Sequence, residues 1–215
     1  MTITEIALLR LAPGITLGDA TLRSNLAHAE EVMQNYTGKT FHYLQQTEDP
    51  SCIYIVGEWE SLDQHMKHFI PSDGNQALLV LLKDQLSVEW LLHADVSHAD
   101  LPLPRSKSAI DKAIGGELIF SIARHMVKDG QKEEFQRTFV ANRQYLQGFL
   151  TEGIMGGGWR IDKEEEGKEE WVLLCPYTSV QQHYDFAKTP EFERYGLIRE
   201  HMDGAEIKHA KILDV

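Results

Sequence analysis

Apolar residues at the start of the chain predict a strand that is buried on both faces. In residues 2–11 they occupy both sets of alternating positions, as in strands that are covered on two sides. Pro13-Gly14 interrupts this run, and apolar residues at helical spacing then predict a helix that ends near Gly38.

The remainder of the first half predicts a hairpin, a second helix and a last strand. Extended runs at 39–46 and 52–59 are separated by turn-forming residues, which is typical of a hairpin. Ser61 can cap a helix that continues, with one interruption, to about Leu86, and the segment SVEWLLHA predicts a fourth strand. The predicted order is therefore βαββαβ.

The second half repeats the first. One alignment without gaps pairs Ser61, Gln64 and His65 with Ser179, Gln182 and His183, and it also pairs Phe41 with Trp159, His42 with Arg160, Trp59 with Tyr177 and His93 with Lys211. Such internal repetition sets the folding unit at roughly a hundred residues, the size of a small domain. The repeats are assigned to 1–94 and 117–215. Residues 95–116, rich in Pro and Gly and without a sustained period, are predicted to be a linker that wraps around the outside.

The predicted elements define the fold class as α+β. A four-stranded antiparallel sheet with two helices on one face is the ferredoxin-like arrangement, so the chain is predicted to contain two tandem ferredoxin-like repeats. Because the first and last strands of each repeat are apolar on both faces, the face without helices also needs cover. We expect the two sheets to pack against each other within one chain.

Charge and composition exclude several classes of protein. A formal net charge of -12 over 215 residues, without a cluster of Lys and Arg, argues against a nucleic-acid partner. No apolar run is long enough to span a bilayer, and charges within the apolar N-terminal stretch argue against a signal peptide. Cys52 and Cys175 form no paired motif, which favours reduced core thiols. A soluble, cytoplasmic protein is expected.

Several short motifs, in order and in two copies, resemble the antibiotic biosynthesis monooxygenase family of the dimeric α+β barrel superfamily. They are Pro13-Gly14, the segment GQKEEF at 130–135, an aromatic residue ending the third strand at Trp59 or Tyr177, a Ser-x-x-x-His motif ending at His65 or His183, and TPEF at 189–192. In that family two ferredoxin-like subunits form a barrel. The resemblance therefore implies a fused pseudo-dimer that closes an intramolecular α+β barrel.

The resemblance implies oxidation chemistry without a cofactor more readily than haem chemistry. Haem-degrading members carry a Trp and then an axial His after the strand-end aromatic. This chain has His68 and Leu78 at those places in one half, and Phe186 and Gly196 in the other. His65 and His68 could share a metal ion, but no motif supplies the further ligands that zinc requires. No cofactor and no metal are predicted.

His65 and His183 are the first candidates for catalysis. Each lies six residues after the strand-end aromatic, near the start of the second helix. An imidazole there could accept a phenolic or α-carbonyl proton near neutral pH. The alternative is a purely structural histidine bonded to a backbone carbonyl. His68 could share the same face.

Cationic and aromatic residues suggest how an acidic aromatic substrate would be held. Arg124 and Arg160, on strands that should be buried, could hold an anion or pair with carboxylates of the chain. Trp59 and Tyr177 are expected to wall the cavity, and Trp159 and Tyr184 to contact the substrate. Because the second half holds both arginines, it is predicted to be the working half, with His183 as the base.

The leading functional hypothesis is a cofactor-independent monooxygenase that oxidises a phenolic or polycyclic, polyketide-like substrate in secondary metabolism. A non-redox cyclase, isomerase or decarboxylase and a non-catalytic binding protein remain as alternatives. The helix segment 77–82 is apolar on all sides, which predicts burial on more than one side and allows a homodimer.

Overall fold

The computed structural model describes residues 2–163, 165 and 167–215. The first half contains a strand, a helix, a hairpin, a π-helical turn and a second helix before its last strand. These elements are β1 (Ile3–Leu11), α1 (Ala20–Thr37), β2 (Phe41–Gln46), β3 (Cys52–Trp59), the π-helical turn (Gln64–Phe69), α2 (Asp73–Leu82) and β4 (Leu86–Ala94).

The second half follows the same order after a short helix, α3 (Lys107–Ile114), in the linking segment. Its elements are β5 (Ile119–Val127), α4 (Lys132–Phe149), β6 (Gly156–Trp159), β7 (Glu169–Tyr177), α5 (Val180–Phe186), α6 (Pro190–Tyr195), a 3₁₀ turn (Gly196–His201) and β8 (Met202–Leu213). The fold is a mixed α+β fold.

Local sequence signals set the ends of the helices. The Asp19 carboxylate accepts hydrogen bonds from the first amides of α1, and Gly38 ends that helix in a left-handed conformation with φ of 66°. The Ser72 and Ser179 hydroxyls cap α2 and α5 in the same way. These caps satisfy backbone donors that would otherwise lack partners.

A single antiparallel sheet of eight strands runs through both halves, in the order β4-β1-β3-β2-β8-β5-β7-β6. The sequence predicts two separate four-stranded sheets, whereas the structure joins their strands in one continuous sheet. They are joined where β2 pairs with β8, at Gln46 and Ala210 among other positions. The outer strands also meet, because Ala94 at the end of β4 forms a bridge with Arg160 directly after β6.

One face of the sheet forms a core shared by both halves. It contains apolar residues of β1 to β4 such as Leu8 and Tyr54, together with those of β5, β7 and β8 such as Phe120. Leu101 and Leu103 of the linking segment are buried in the same core. The expectation that this segment wraps around the outside is therefore wrong: its leucines fill space between the halves, which removes their apolar surface from water.

The strand register corrects the alignment of the two halves. Glu5 lies opposite Gly57 and His93 on its two neighbouring strands, and Ser121 lies opposite Cys175 and His209 in the same way. His93 therefore corresponds to His209 and not to Lys211. The junctions add a second correction, since Arg160 pairs with Ala94 as Gln46 pairs with Ala210. The counterpart of Arg160 is thus Gln46 and not His42.

Helix α2 differs from the expectation for its apolar segment. Leu78 is buried against the sheet, whereas Leu79, Val80 and Leu81 are 50%, 67% and 41% exposed. The helix buries one face only. Within the described residues, no helix combines the length and the apolar character needed to cross a bilayer.

Candidate functional site

His65 is placed by the end of strand β3 and by a turn that follows directly. Ser61 accepts a hydrogen bond from the Gln64 amide, and the Ile70 amide reaches back to the carbonyl oxygen of His65, which is the i to i+5 bond of a π-helical turn. The imidazole stacks on Trp59, with ring centroids 4.0 Å apart and planes 7° from parallel. The strand-end aromatic thus fixes the plane of the histidine ring.

A chain of hydrogen bonds connects His65 to a carboxylate. His65 Nδ1 lies 2.7 Å from His93 Nε2, and His93 Nδ1 lies 2.8 Å from Asp162 Oδ2. The backbone amide of His93 also donates to Asp162 Oδ1, at 3.0 Å. We call His65, His93 and Asp162 the first relay.

The second half contains the same arrangement. His183 stacks on Tyr177 at 4.6 Å and 12°, and its Nδ1 lies 2.8 Å from His209 Nε2. His209 Nδ1 lies 2.6 Å from Glu48 Oε1, and the His209 amide donates to both oxygens of that carboxylate. We call His183, His209 and Glu48 the second relay.

Each relay takes its carboxylate from the other half of the chain. Asp162 follows β6 in the second half and serves His93, whereas Glu48 follows β2 in the first half and serves His209. Both acids are delivered by the junctions at which the sheet edges meet, β4 with β6 and β8 with β2. Neither relay can therefore form within one half alone.

Hydrogen bonding assigns the protons in the first relay. Burial works to raise the pKa of Asp162, but the hydrogen bonds from the ring and amide of His93 hold that pKa below its ordinary value. An ionised carboxylate only accepts, so His93 Nδ1 carries a proton, and in neutral His93 the Nε2 atom accepts from His65 Nδ1. This leaves His65 Nε2 as a free acceptor.

The outer histidine of each relay is neutral at physiological pH. Burial lowers the pKa of His65 to about 3, and the neighbouring His93 contributes to this shift. The pKa of His183 falls to about 4 for the same reasons, with His209 as its neighbour. A proton taken up by either outer ring can pass along the 2.7 to 2.8 Å contact to the inner ring, where the carboxylate stabilises the positive charge.

An apolar cavity of about 400 Å³ adjoins the first relay, between the sheet and the helices α1 and α2. Side chains such as Leu26, Met33 and Phe69 form most of its wall, and Glu5 and His65 are polar groups on its surface. Among the described residues, the buried side-chain nitrogens and oxygens without a partner belong to His98 and Trp171. His65 Nε2 also has no partner among the described residues, but it is not one of these inaccessible atoms. It is therefore accessible from the cavity that His65 lines.

A second cavity, of about 320 Å³, adjoins the second relay. Ser121, Tyr177 and His183 contribute polar groups to it, as do His125, Tyr195, Arg199 and Asp203, and apolar side chains such as Phe186 and Ile198 line the rest. Ser121 occupies the place that Glu5 has in the first half. The two cavities thus share a histidine on a stacked aromatic ring and differ in the group beside it.

Arg124 and Arg160 lie away from both cavities. Arg124 forms an ion pair with Glu170 at 2.5 Å, and Arg160 contacts the same carboxylate at 3.2 Å and Asp162 at 3.1 Å. The guanidinium group of Arg124 also lies 4.4 Å from the centre of the Trp90 ring, on the core face of the sheet. The positions of Arg124 and Arg160 therefore do not favour the second cavity over the first as the site of catalysis.

The other predicted contact residues are dispersed. Trp59 and Tyr177 stack on the candidate histidines; Tyr177 lines the second cavity, whereas Trp59 is not among the residues that line the first. Tyr184 lies 6.2 Å from the His183 ring but is 53% exposed, and His68 points to solvent. Trp159 packs edge-on against Phe135 and Trp171 and donates to Gln136, outside the cavity that His183 lines.

The sequence interpretation missed His93, His209, Asp162, Glu48 and Glu5 as functional candidates. A signal for two of them was present, because His93 and His209 both stand in the last strand of their repeat. The gapless alignment obscured it, since the last strands are displaced by two residues relative to the third strands. Glu5, a carboxylate within an otherwise apolar strand, was a further signal.

Comparison with known proteins establishes the fold and no more. No protein-family model and no curated protein sequence matches the chain. Among solved structures it is similar to a protein provisionally named a monooxygenase, from Fusobacterium nucleatum subsp. nucleatum (TM-score 0.64, 10% identity, 99% of this chain and 93% of that one). An anthrone oxidase-like protein (TM-score 0.63, 12% identity, 99% and 92%) and a chlorite dismutase variant from Candidatus Nitrospira defluvii (TM-score 0.58, 10% identity, 99% and 92%) are also similar.

Proposed function

We propose that this protein is an enzyme in which His65 and His183 act as general bases on a flat, apolar substrate. The observation that carries the proposal is the pair of relays, because each ends in a neutral imidazole on an apolar cavity and begins at an ionised carboxylate. This is the arrangement that a base requires to take up a proton and then lose the resulting charge to a neighbour.

The reaction we favour is cofactor-independent oxygenation of a phenolic or polycyclic substrate, as the resemblance to antibiotic biosynthesis monooxygenases implies. The substrate gives a C–H or O–H proton to histidine Nε2, and the electron-rich anion then transfers an electron to O2. Recombination forms a C–O bond and a hydroperoxide, which loses water to leave a carbonyl group. One O2 is consumed and one water is released, so no external reductant is needed.

Similarity in fold to a protein named anthrone oxidase-like supports a polycyclic ketone or phenol as the substrate class. The cavities agree with this class, because most of the residues in their walls are apolar. Neither arginine contacts the substrate in this proposal, since both guanidinium groups contact Glu170 on the other face of the sheet; Arg160 also contacts Asp162, the carboxylate of the first relay.

Glu5 favours a second candidate function for the first cavity, non-redox proton transfer such as isomerisation. A carboxylic acid beside a base can return a proton to the substrate, which ends the reaction before O2 is involved. The two candidates share their first step and differ in oxygen consumption.

We also infer that the chain is a tandem form of the ferredoxin-like unit and that its sheet closes into an intramolecular barrel. The repeated strand order in each half, and the two equivalent junctions at Gln46–Ala210 and Ala94–Arg160, support this inference. The exposed leucines of α2 support a homodimer as the assembled form.

Oxygen uptake with anthrone tests the function directly. We expect the wild type to consume one O2 for each anthrone, and the double variant His65→Ala/His183→Ala to lose about 10²- to 10⁴-fold in rate, the usual contribution of a general base. The single variants measure the share of each half. His68→Ala is the matched control, since this histidine is exposed and outside both cavities.

Two results would contradict the proposal. Full activity of the double variant at a matched folded fraction would exclude the histidines as bases. Absence of oxygen uptake with anthrone and with 1-naphthol would exclude oxygenation of this substrate class.

A further inference from the structure

We propose that the first cavity is an acid–base site that enolises a neutral ketone, with Glu5 as the acid and His65 as the base. This inference rests on the proposed function only in taking His65 as a base. It assigns to the two halves of the chain different substrate forms and different reactions.

Glu5 is positioned as a cavity acid by strand β1. Its side chain is buried, 3% of the residue being exposed, and its Oε2 atom accepts a hydrogen bond from Trp59 Nε1 at 2.7 Å. The same oxygen lies 3.8 Å from His65 Nδ1. The other oxygen, Oε1, has no hydrogen-bond partner among the described residues. The inaccessible side-chain atoms without a partner in those residues belong to His98 and Trp171, so Glu5 Oε1 is open to the cavity that Glu5 lines.

The surroundings of Glu5 favour the protonated form of its carboxyl group, which predominates below about pH 7. Burial raises the pKa of Glu5 to about 7, although the hydrogen bond from Trp59 and the nearby His93 act in the opposite direction. The titratable groups that face it are His65 from the π-helical turn, His93 from β4 and Tyr43 from β2. Because Oε2 accepts from Trp59, the acidic proton of Glu5 resides on Oε1.

This geometry supports a balanced enolisation. A ketone that places its carbonyl oxygen at Glu5 Oε1 can present an α C–H bond to His65 Nε2. The C–H electron pair becomes the new C=C bond, the α proton moves to His65, and the Glu5 proton moves to the carbonyl oxygen. The product is a neutral enol, so no uncompensated charge forms on the ligand in the apolar cavity.

The second cavity has no carboxyl group at the place of Glu5, although Arg199 and Asp203 line it elsewhere. Ser121 stands where Glu5 stands in the first half, opposite Cys175 and His209, and a serine hydroxyl is too weak an acid to protonate an enolate. Removal of a proton by His183 therefore leaves an anion in that cavity. An anion is the form that donates an electron to O2, so oxygenation belongs to the second cavity.

Solvent deuterium exchange into 2-tetralone under nitrogen tests the assignment. We expect the wild type to catalyse exchange at the α carbons, and Glu5→Gln to lose about 10- to 100-fold, at the lower end of what acid catalysis contributes. Glutamine can still accept the hydrogen bond from Trp59, so this variant removes the acid and keeps the structural contact. His65→Phe should lose exchange, whereas His68→Ala, at an exposed position outside both cavities, should retain it.

The pH profile provides a second measurement that needs no variant. Because the reaction uses protonated Glu5, exchange by the wild type should decline as pH rises through about 7, the pKa of Glu5. An infrared difference spectrum between the wild type and Glu5→Gln should show the carboxylic-acid C=O stretch at low pH and its loss at high pH.

Several outcomes would overturn the inference: no exchange by the wild type, full exchange by folded Glu5→Gln, or full exchange by folded His65→Phe. These outcomes are separable from failure of the proposed function. If anthrone is oxidised normally while Glu5→Gln exchanges tetralone at the wild-type rate, the histidines remain supported as bases and the assignment of Glu5 as the acid is contradicted. If exchange depends on Glu5 and no oxygen is consumed with anthrone or 1-naphthol, the oxygenase proposal is contradicted and the acid–base site remains supported.

Discussion

At the residue scale, the chemistry depends on what lies behind each histidine. An isolated buried imidazole only becomes less basic, because burial disfavours its charged form. His65 and His183 instead contact an inner histidine that is paired with a carboxylate. The inner pair can hold the transferred proton, which makes the outer ring a usable base in spite of its burial.

Because each relay takes its carboxylate from the other half of the chain, replacing a carboxylate in one half should impair the cavity in the other half. Asp162→Asn should slow proton removal in the first cavity, in the opposite half, by about 10- to 100-fold, since an amide no longer stabilises the charged His93. Glu48→Gln should do the same to the second cavity. The two variants are matched controls for each other.

Tetralone exchange reports the first cavity and anthrone oxidation the second in this comparison. If each variant instead impaired the reaction of its own half, or if neither reaction changed, the carboxylates would have only a structural role.

At the element scale, the glycines of β6 explain how the linking segment enters the fold. A Cβ atom on Gly156 would lie 1.8 Å from the backbone oxygen of Asp100, and one on Gly158 would lie 2.7 Å from the Asp95 carboxylate. The backbone of the segment thus passes directly over the strand. The Gly156-Gly157-Gly158 run permits this close approach, which carries Leu101 into the shared core.

Gly156→Ala should therefore destabilise the protein by about 1–3 kcal/mol or more, because a rigid backbone carbonyl occupies the place of the new methyl group. Gly148→Ala is the matched control. Gly148 lies in α4, and nothing lies within 4 Å of the place that a methyl group would take there, so alanine should stabilise the helix by up to about 1 kcal/mol. Urea unfolding of both variants measures the difference in their free energies of unfolding. Equal values would show that the linking segment moves away from the new methyl group at little cost.

At the scale of the whole molecule, burial of histidines couples stability to pH. Burial lowers the pKa of five histidines to about 3 or 4 in the folded protein, against 6.5 when unperturbed; they are His42, His65, His98, His125 and His183. Between those values the unfolded chain takes up protons that the folded protein does not. The free energy of unfolding must then fall as pH decreases through this window.

Glu5 acts in the opposite sense, since its pKa is raised from 4.5 to about 7 and the folded protein keeps a proton that the unfolded chain releases. Burial also raises the pKa of Glu30 and of Asp95, which act in the same sense as Glu5, so three carboxyl groups oppose five histidines and acidification leaves a net loss of stability. We expect a decrease of a few kcal/mol between about pH 7 and pH 5, given about 1.4 kcal/mol for each group and pH unit at most.

Urea unfolding at both pH values checks this expectation. His125→Gln should weaken the dependence, whereas His28→Gln, at an exposed position, should leave it unchanged. A free energy of unfolding that does not vary with pH would contradict the account.

The sequence by itself determined the order of the elements, the repetition of the strand-end aromatic and its histidine, and the apolar strands that need cover on both faces. These are local properties, because side-chain periodicity and helix caps depend on residues within a few positions of one another. His65 and His183 were identified in this way, as were Trp59 and Tyr177 as their neighbours.

Only the tertiary structure decided the partners of those histidines. His209 and Glu48 are 161 residues apart in sequence, and His93 and Asp162 are 69 apart. Their contacts depend on the register of the strands and on how the sheet edges join, and a shift of two residues between strands of the two halves is invisible to an alignment without gaps. The physical reason is that a relay is made by residues from different strands, so its composition is fixed by the packing of the halves and not by any local pattern.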